Sequence, residues 1–192
     1  MIRSQVPARP TIRPFTLGAV AVAGAVLGTA WDLLHVRTHT TVYSIGLGRM
    51  PWWVPFEFAT VYVAGVIGIA RLGAPVKSAH STNRLVAETG WVTLVYSITA
   101  FAHRYELIVA AVAMVALFAR RRTFSAILRP NIVPAVALVV LGSATEAILI
   151  ASGVFRYTHA SLGNIPLWLP LLYANAIPFA VALTEAAIEE PA

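Results

Sequence analysis

Six runs of apolar residues, near 15–36, 52–72, 86–102, 105–119, 131–154 and 167–187, take up most of a chain of 192 residues. A helix needs about 20 such residues to cross the hydrocarbon core of a bilayer. In lipid only helices and closed barrels satisfy every backbone N–H and C=O, and runs of this length read as helices. The chain is therefore expected to be an all-α membrane protein of six transmembrane helices, the fourth of them short. Residues 1–192 read as one transmembrane domain, with a basic tail at 1–14 and an acidic tail at 188–192. The first apolar run is long enough to span, so it reads as a helix and not as a cleaved signal peptide. Composition agrees. At 58% hydrophobic and 11% charged, with a mean hydropathy of +0.76, the chain has too little polar surface for a soluble domain.

Charge sets the orientation. If the amino terminus is cytoplasmic, inside segments hold Arg3, Arg9, Arg13, Arg71, Lys77, Arg84, Arg120, Arg121, Arg122 and Arg129, and outside segments hold Arg37, Arg49, Arg104 and Arg156. Basic residues concentrate in cytoplasmic loops, so both termini are expected in the cytoplasm. The net charge of +6 is scattered through short segments and forms no basic face, so nucleic acid is not expected as a partner. The Arg120–Arg122 run reads as an inside determinant that would also attract anionic lipid. With no cysteine, disulfides and thiolate metal sites are excluded. Thirteen of the fourteen basic residues are Arg, a usage that points to a GC-rich, bacterial genome.

Two stretches of the chain repeat each other. The first runs Gly28-Thr29-Ala30-Trp31-Asp32, then Tyr43-Ser44, Leu47-Gly48 and Pro51-Trp52-Trp53-Val54-Pro55. The second runs Gly142-Ser143-Ala144-Thr145-Glu146, then Tyr157-Thr158, Leu162-Gly163 and Pro166-Leu167-Trp168-Leu169-Pro170. The offset is 114 up to the tyrosine and 115 from the Leu-Gly pair onward. In each copy an apolar helix carries one acid near its outer end, a polar aromatic loop follows, and a Trp–Pro segment opens the next helix. The copies are offset by four spans, an even number, so helices one–two and five–six form a parallel pseudo-repeat, not the inverted kind common in transporters.

The residues around these loops resemble the Insig family, the insulin-induced gene proteins of the endoplasmic reticulum. Asp32-Leu33-Leu34-His35-Val36-Arg37 is similar to the family's Asn-Leu-Leu-Gln-Ile-Gln at the end of its first span. Trp52-Trp53-Val54-Pro55 is identical to the opening of its second span. Val154-Phe155-Arg156-Tyr157-Thr158, followed by Trp168-Leu169-Pro170, resembles Val-Tyr-Gln-Tyr-Thr and Trp-Leu-Pro at the same spacing. The resemblance covers most of 15–187 and includes six spans with both ends cytoplasmic. It implies a lipid-binding or lipid-sensing membrane protein that is not an enzyme, since Insigs bind oxysterols and retain the escort protein Scap. The family's Asp in the loop between spans four and five, which serves the Scap contact, corresponds here to Ala119 before Arg120-Arg121-Arg122. The resemblance therefore does not carry a Scap-type partner over. The expected occupant is a sterol-like lipid or, in a bacterial membrane poor in sterols, a diacylglycerol-like or isoprenoid lipid. A homo-oligomer is expected, with a trimer taken as its size. The protein belongs in the bacterial inner membrane, or in the endoplasmic reticulum of a eukaryote. No cofactor is expected.

Acids inside membrane spans default to functional candidates. Asp32 and Glu146 read as polar anchors for a lipid headgroup, or as interfacial carboxylates bonded to loop residues. Glu57 lies on the same outer side and reads first as a structural ion pair with Arg37 or Arg49. His35, His39, His103 and His159 cluster near the same boundary without a third ligand at metal-site spacing, so no metal is expected. Trp52, Trp53 and Trp168 suit an aromatic belt, with Trp52 or Trp168 as a roof over a cavity. Tyr96, Ser97 and Thr99 precede His103, Arg104 and Glu106 in a polar stretch of the third hairpin, and read as cavity-lining or as bonded to their own helix. The expected ligand-binding set is thus Asp32, His35, Trp52, Tyr96, Thr99, His103, Glu146 and Trp168. Two other classes fit less well: an isoprenoid-modifying enzyme using Asp32 and Glu146 as general acids, and a proton-coupled carrier, whose acids would sit nearer the midplane. Topology is directly testable because the chain has no cysteine. A cysteine in the 73–83 loop is expected to label only from the cytoplasmic side and one at Gly163 only from outside; the reverse pattern would refute the charge argument.

Overall fold

The computed structural model describes residues 11–45, 49–73 and 81–189. Seven helices and two short strands follow in the order α1 (Pro14–Arg37), β1 (Thr41–Tyr43), α2 (Val54–Leu72), α3 (Ser81–Ala102), α4 (Glu106–Ala119), α5 (Arg121–Leu128), α6 (Ile132–Ala151), β2 (Phe155–Tyr157) and α7 (Leu169–Ala187). A single 3₁₀ turn, Arg129–Asn131, joins α5 to α6. Helices α1, α2, α3 and α7, and α6 together with the end of α5, are long and apolar enough to cross a bilayer. The fourth span, α4, has 14 residues. At 1.5 Å per residue it is about 21 Å long, short of the hydrocarbon core. The protein is thus an integral, multi-pass, all-helical membrane protein. The hairpin between α3 and α4 is as tight as the sequence suggests: Tyr105 N–H bonds back to Ala102 O at 2.8 Å.

Two local features differ from the sequence reading. Helix α3 starts at Ser81, not near 86, and so includes Arg84 and Glu88. Both charges are paired: Arg84 meets Glu185 of α7 at 2.8 Å, and Glu88 meets Arg120. Arg120 also lies over the Trp91 ring, 4.7 Å from its centroid. Pairing removes the penalty that would otherwise stop a helix at such residues. The Arg120–Arg122 segment is not simple loop, because α5 is a short amphipathic helix. Its Arg121 and Arg122 are exposed and its Ile127 is buried, packed in a cluster with Ile69, Ala135, Ile177 and Val181. The period-3.6 pattern was present in the sequence, but it is too short to stand out beside long apolar runs.

Both described ends of the chain meet on one side. Glu189 N–H bonds Thr11 O at 3.1 Å, and the Glu189 carboxylate accepts from the Thr11 hydroxyl and pairs with Arg13. Arg3, Arg9 and Lys77 of the charge count, and Leu47 and Gly48 of the repeat, lie outside the described residues.

At the opposite end the two repeat loops pair with each other. Strands β1 and β2 are antiparallel, with Thr41 opposite Tyr157, Val42 opposite Arg156 and Tyr43 opposite Phe155. Val42 and Arg156 are equivalent residues of the repeat, so the ladder is centred on a pseudo-two-fold axis. The helix ends leading into it are also copies. Thr38 N–H bonds Leu34 O, His39 N–H bonds Val36 O and Thr40 N–H bonds His35 O. Ser152, Gly153 and Val154 make the same three bonds to Ile148, Ile150 and Leu149. Each helix closes on a left-handed residue, His39 (φ 59°) and Gly153 (φ 75°), which lets the last carbonyls be bonded before the chain turns. Each second helix opens with proline in its first turn, Pro55 and Pro170, where no N–H is needed.

Glycine sets how closely the paired helices pack. A Cβ on Gly28 would stand 2.3 Å from the Phe58 ring, and one on Gly142 would stand 2.6 Å from the Tyr173 ring. These are equivalent pairs, one in α1–α2 and one in α6–α7. Helix α7 lies at the centre, packed by α2, α3, α4 and α6, which shields its Asn175, Thr184 and Glu185 from lipid. Gly28→Ala is expected to cost about 1–3 kcal/mol through overpacking. Gly18→Ala, where a Cβ meets nothing within 4 Å, is expected to leave thermal unfolding in detergent unchanged or slightly raised.

Candidate functional site

A cavity of about 470 Å³ lies between α2 and α6, with α7 as its floor. Its walls are apolar for most of their length, from Leu141, Leu138 and Pro134 of α6 and Val61, Ile69 and Leu72 of α2 to Phe179 and Leu183 of α7. Polar groups collect at the end nearest the β1–β2 ladder. There the lining includes Asp32, His35, Tyr43, Glu57, Tyr96, Glu146, Tyr157 and Tyr173. The repeat accounts for the cleft. A two-fold that exchanges α1–α2 with α6–α7 also relates the α2–α6 cleft to an α7–α1 cleft. Helix α3 packs on both α7 and α1 and so occupies the second cleft, while the first stays open.

The two acids are held alike. Tyr43 donates its hydroxyl to Asp32 Oδ2 at 2.8 Å, and Tyr157, eleven residues past its acid in the same way, donates to Glu146 Oε2. Burial first, and then the adjacent carboxylate, push both tyrosine hydroxyls far up, so they act as permanent donors. Glu146 takes a second phenol, Tyr173 to Oε1 at 2.6 Å. The equivalent of Tyr173 in the first copy is Phe58, so Asp32 has one phenol where Glu146 has two. The common spacing from acid to tyrosine was visible in both copies, yet it named no partnership until the strands folded back over the helix ends.

Of the residues expected to meet a ligand, Asp32, His35, Tyr96 and Glu146 line the cavity together. Trp31 and His35, one turn apart on α1, both stack with the Tyr96 ring, at centroid distances of 5.1 and 5.2 Å. Thr99 stands behind this wall, its Oγ1 2.9 Å from His35 Nε2, and orients the imidazole. His103 is buried further along, donating to Ala100 O at 2.7 Å and lying 3.1 Å from Thr40 Oγ1. Trp168, 1% exposed, packs edge-on to Tyr157 and tilted against His35. Trp52 is 82% exposed and touches Phe56, a position suited to the aromatic belt. Ser97 bonds its own helix at Thr93 O. Glu106 accepts from the backbone of Ser161 and Leu167 and so fixes the second loop. Glu57 is a correction: among the described residues it forms no ion pair with Arg37 or Arg49 and instead lines the cavity. Arg37 and Arg49 are both exposed. No group of three or more His, Asp or Glu among the described residues is placed to hold a metal ion.

The phenol–carboxylate bonds predict their own cost. Tyr157→Phe and Tyr43→Phe each strand a buried carboxylate oxygen and are expected to lower stability by about 1–3 kcal/mol, read as the melting midpoint in detergent. Glu146→Leu combined with Tyr157→Phe is expected to be less than additive, because the double change leaves one fewer orphan; strict additivity would show that the bond contributes nothing.

No protein-family model and no curated protein sequence matches the chain. Two solved structures do. The chain is 24% identical to a mycobacterial Insig homologue, MvINS from Mycobacterium vanbaalenii, with a TM-score of 0.70 over 91% of this chain and 94% of that one. It is 26% identical to the crystallised cross-linked MvINS trimer, with a TM-score of 0.73 over 92% and 95% of the two chains. The superposition covers more than nine-tenths of both chains, and the chain is an Insig-like integral membrane protein with the fold of a bacterial Insig homologue.

Proposed function

We propose that the protein binds a single lipid in the α2–α6 cavity and works as a lipid-holding or lipid-sensing protein, without covalent chemistry. One observation carries this reading: the cavity is apolar along its length and polar at one end, which is the shape and chemistry of an amphiphile. Its volume, about 470 Å³, lies within the usual range for sites that enclose most of a drug-sized molecule. The head would lie against Asp32, Glu57 and Glu146, and the tail would run between α2 and α6 towards Leu72 and Pro134. The carboxylates of Asp32 and Glu146 are already engaged as acceptors for tyrosine, a use that suits fixed anchoring better than proton donation. By likeness to the cross-linked MvINS trimer, the assembly is read as a homotrimer.

Native mass spectrometry of the detergent-purified protein is expected to show a trimer with one lipid per chain. Gly65 lines the cavity, and a Cβ there meets nothing within 4 Å, so Gly65→Phe is expected to fill the space and displace the lipid without lowering the melting point. Gly18→Phe, equally free of neighbours but away from the cavity, is expected to keep it. Loss of lipid from both variants, or from neither, would refute the cavity as the site. Asp32→Asn keeps an acceptor for Tyr43 and is expected to retain lipid and fold, whereas Asp32→Leu is expected to lose both in part. An Asn variant that keeps its lipid but abolishes a measurable lipid conversion would place the protein among enzymes.

A further inference from the structure

Three carboxylates share one end of the cavity, and no Arg or Lys among the described residues lines it. The single imidazole in the wall, His35, faces Thr99. Asp32 uses one oxygen for Tyr43, and Glu57 has no hydrogen-bond or ion-pair partner among the described residues. Acids gathered in a low-dielectric wall repel one another and need compensation from protons, a cation, or a ligand that brings positive charge. Arg37 and Arg49, the nearest bases in sequence, do not supply it.

A second observation points to a ligand independently of the acids. The Tyr96 ring stacks with both Trp31 and His35 and lines the cavity, yet its hydroxyl meets no hydrogen-bond partner among the described residues. Tyr62, one turn deeper in α2 and also lining, has a buried hydroxyl with no partner. Buried hydroxyls are nearly always satisfied in a finished structure, so the Tyr62 orphan is unusual, and the unpartnered Tyr96 hydroxyl is free to bond a polar atom of an occupant. The lining rings themselves form the third element. Trp31, Tyr43, Tyr96, Tyr157 and Tyr173 surround the acid end, and aromatic faces beside carboxylates make a favourable seat for an ammonium group. A phosphate or carboxylate head would meet three acids there and no Arg or Lys among the described residues.

We infer that the cavity selects amphiphiles whose polar end is a primary ammonium, with Glu57 and Asp32 as counter-charges and the Tyr96 hydroxyl as a further acceptor, and that it excludes anionic headgroups. This deepens the lipid-binding reading above and rests on it. Protein stripped of co-purified lipid in a non-ionic maltoside detergent is titrated with three probes of one chain length: hexadecylamine, hexadecanol and palmitate. The amine is expected to bind about ten-fold or more tighter than the alcohol, as befits a charge-assisted bond in a desolvated site, and palmitate is expected to bind weakest. Glu57→Gln makes no change to any existing bond and is expected to remove most of the amine's advantage while leaving the alcohol's affinity as it was. Tyr96→Phe, which keeps the ring, is expected to weaken the amine by a smaller factor. Equal affinity for amine and alcohol, or an advantage that survives Glu57→Gln, overturns the ammonium assignment and leaves the lipid-binding reading intact. Failure of all three probes to bind overturns both.

Discussion

A tyrosine hydroxyl bonded to a carboxylate inside a membrane span, made twice, is the interaction on which the outer half of this molecule depends. Tyr157 reaches from β2 to Glu146, and Tyr43 from β1 to Asp32. Each bond satisfies an acid that lipid would otherwise penalise. Each also ties a loop over the end of its helix. Once both loops are tied down, their backbones lie side by side and exchange hydrogen bonds as a short antiparallel ladder. That ladder fastens the first helical pair to the last across the pseudo-two-fold. Loss of either phenol would therefore loosen a buried charge and an interhelical clasp together.

The opposite end is held by different means. There Arg84 meets Glu185, Arg120 meets Glu88, and Arg13 meets Glu189. These pairs connect α3 to α7, the start of α5 to α3, and the two described ends of the chain to each other. Between the two ends, α7 forms the axis of the molecule. Asn175 accepts from Trp91 of α3 and donates to Ala113 O of α4 and Leu171 O of its own helix. A polar side chain at that depth is stable because its own helix and two neighbouring helices supply its partners.

The cavity follows from broken symmetry. A faithful two-fold would make two equal clefts. The inserted α3 fills one, leaving the other open between α2 and α6, with the acids at its outer end. The second copy then differs from the first in small ways that matter there. Tyr173 stands where the first copy has Phe58, and Glu57 stands where the second has Leu172. One acid is thereby doubly bonded, and a third carboxylate enters the wall without a partner.

Much of the architecture was legible in the sequence, because lipid leaves the chain few choices. Runs such as 15–36 and 167–187 must be helices, the basic residues set which side faces the cytoplasm, and Gly28–Asp32 repeating as Gly142–Glu146 declares a duplicated unit. These readings need only neighbours along the chain and a uniform apolar solvent. What the sequence could not settle depends on which surfaces meet. Arg120 is written as one of three exposed bases, yet it pairs with Glu88, thirty-two residues away. Glu57 reads as a partner for a nearby arginine, yet it pairs with neither among the described residues and lines the cavity instead. Thr99 stands in the same helix as Tyr96 and His103 just past its end, but of the three only Tyr96 lines the cavity, since helix rotation against α1 and α7 decides which face is presented. Local hydrophobicity dictated the apolar spans and their order, though not the short amphipathic α5. Only the packing of α3 into one of two equivalent clefts decided that there is a cavity, and which side chains it shows to a ligand.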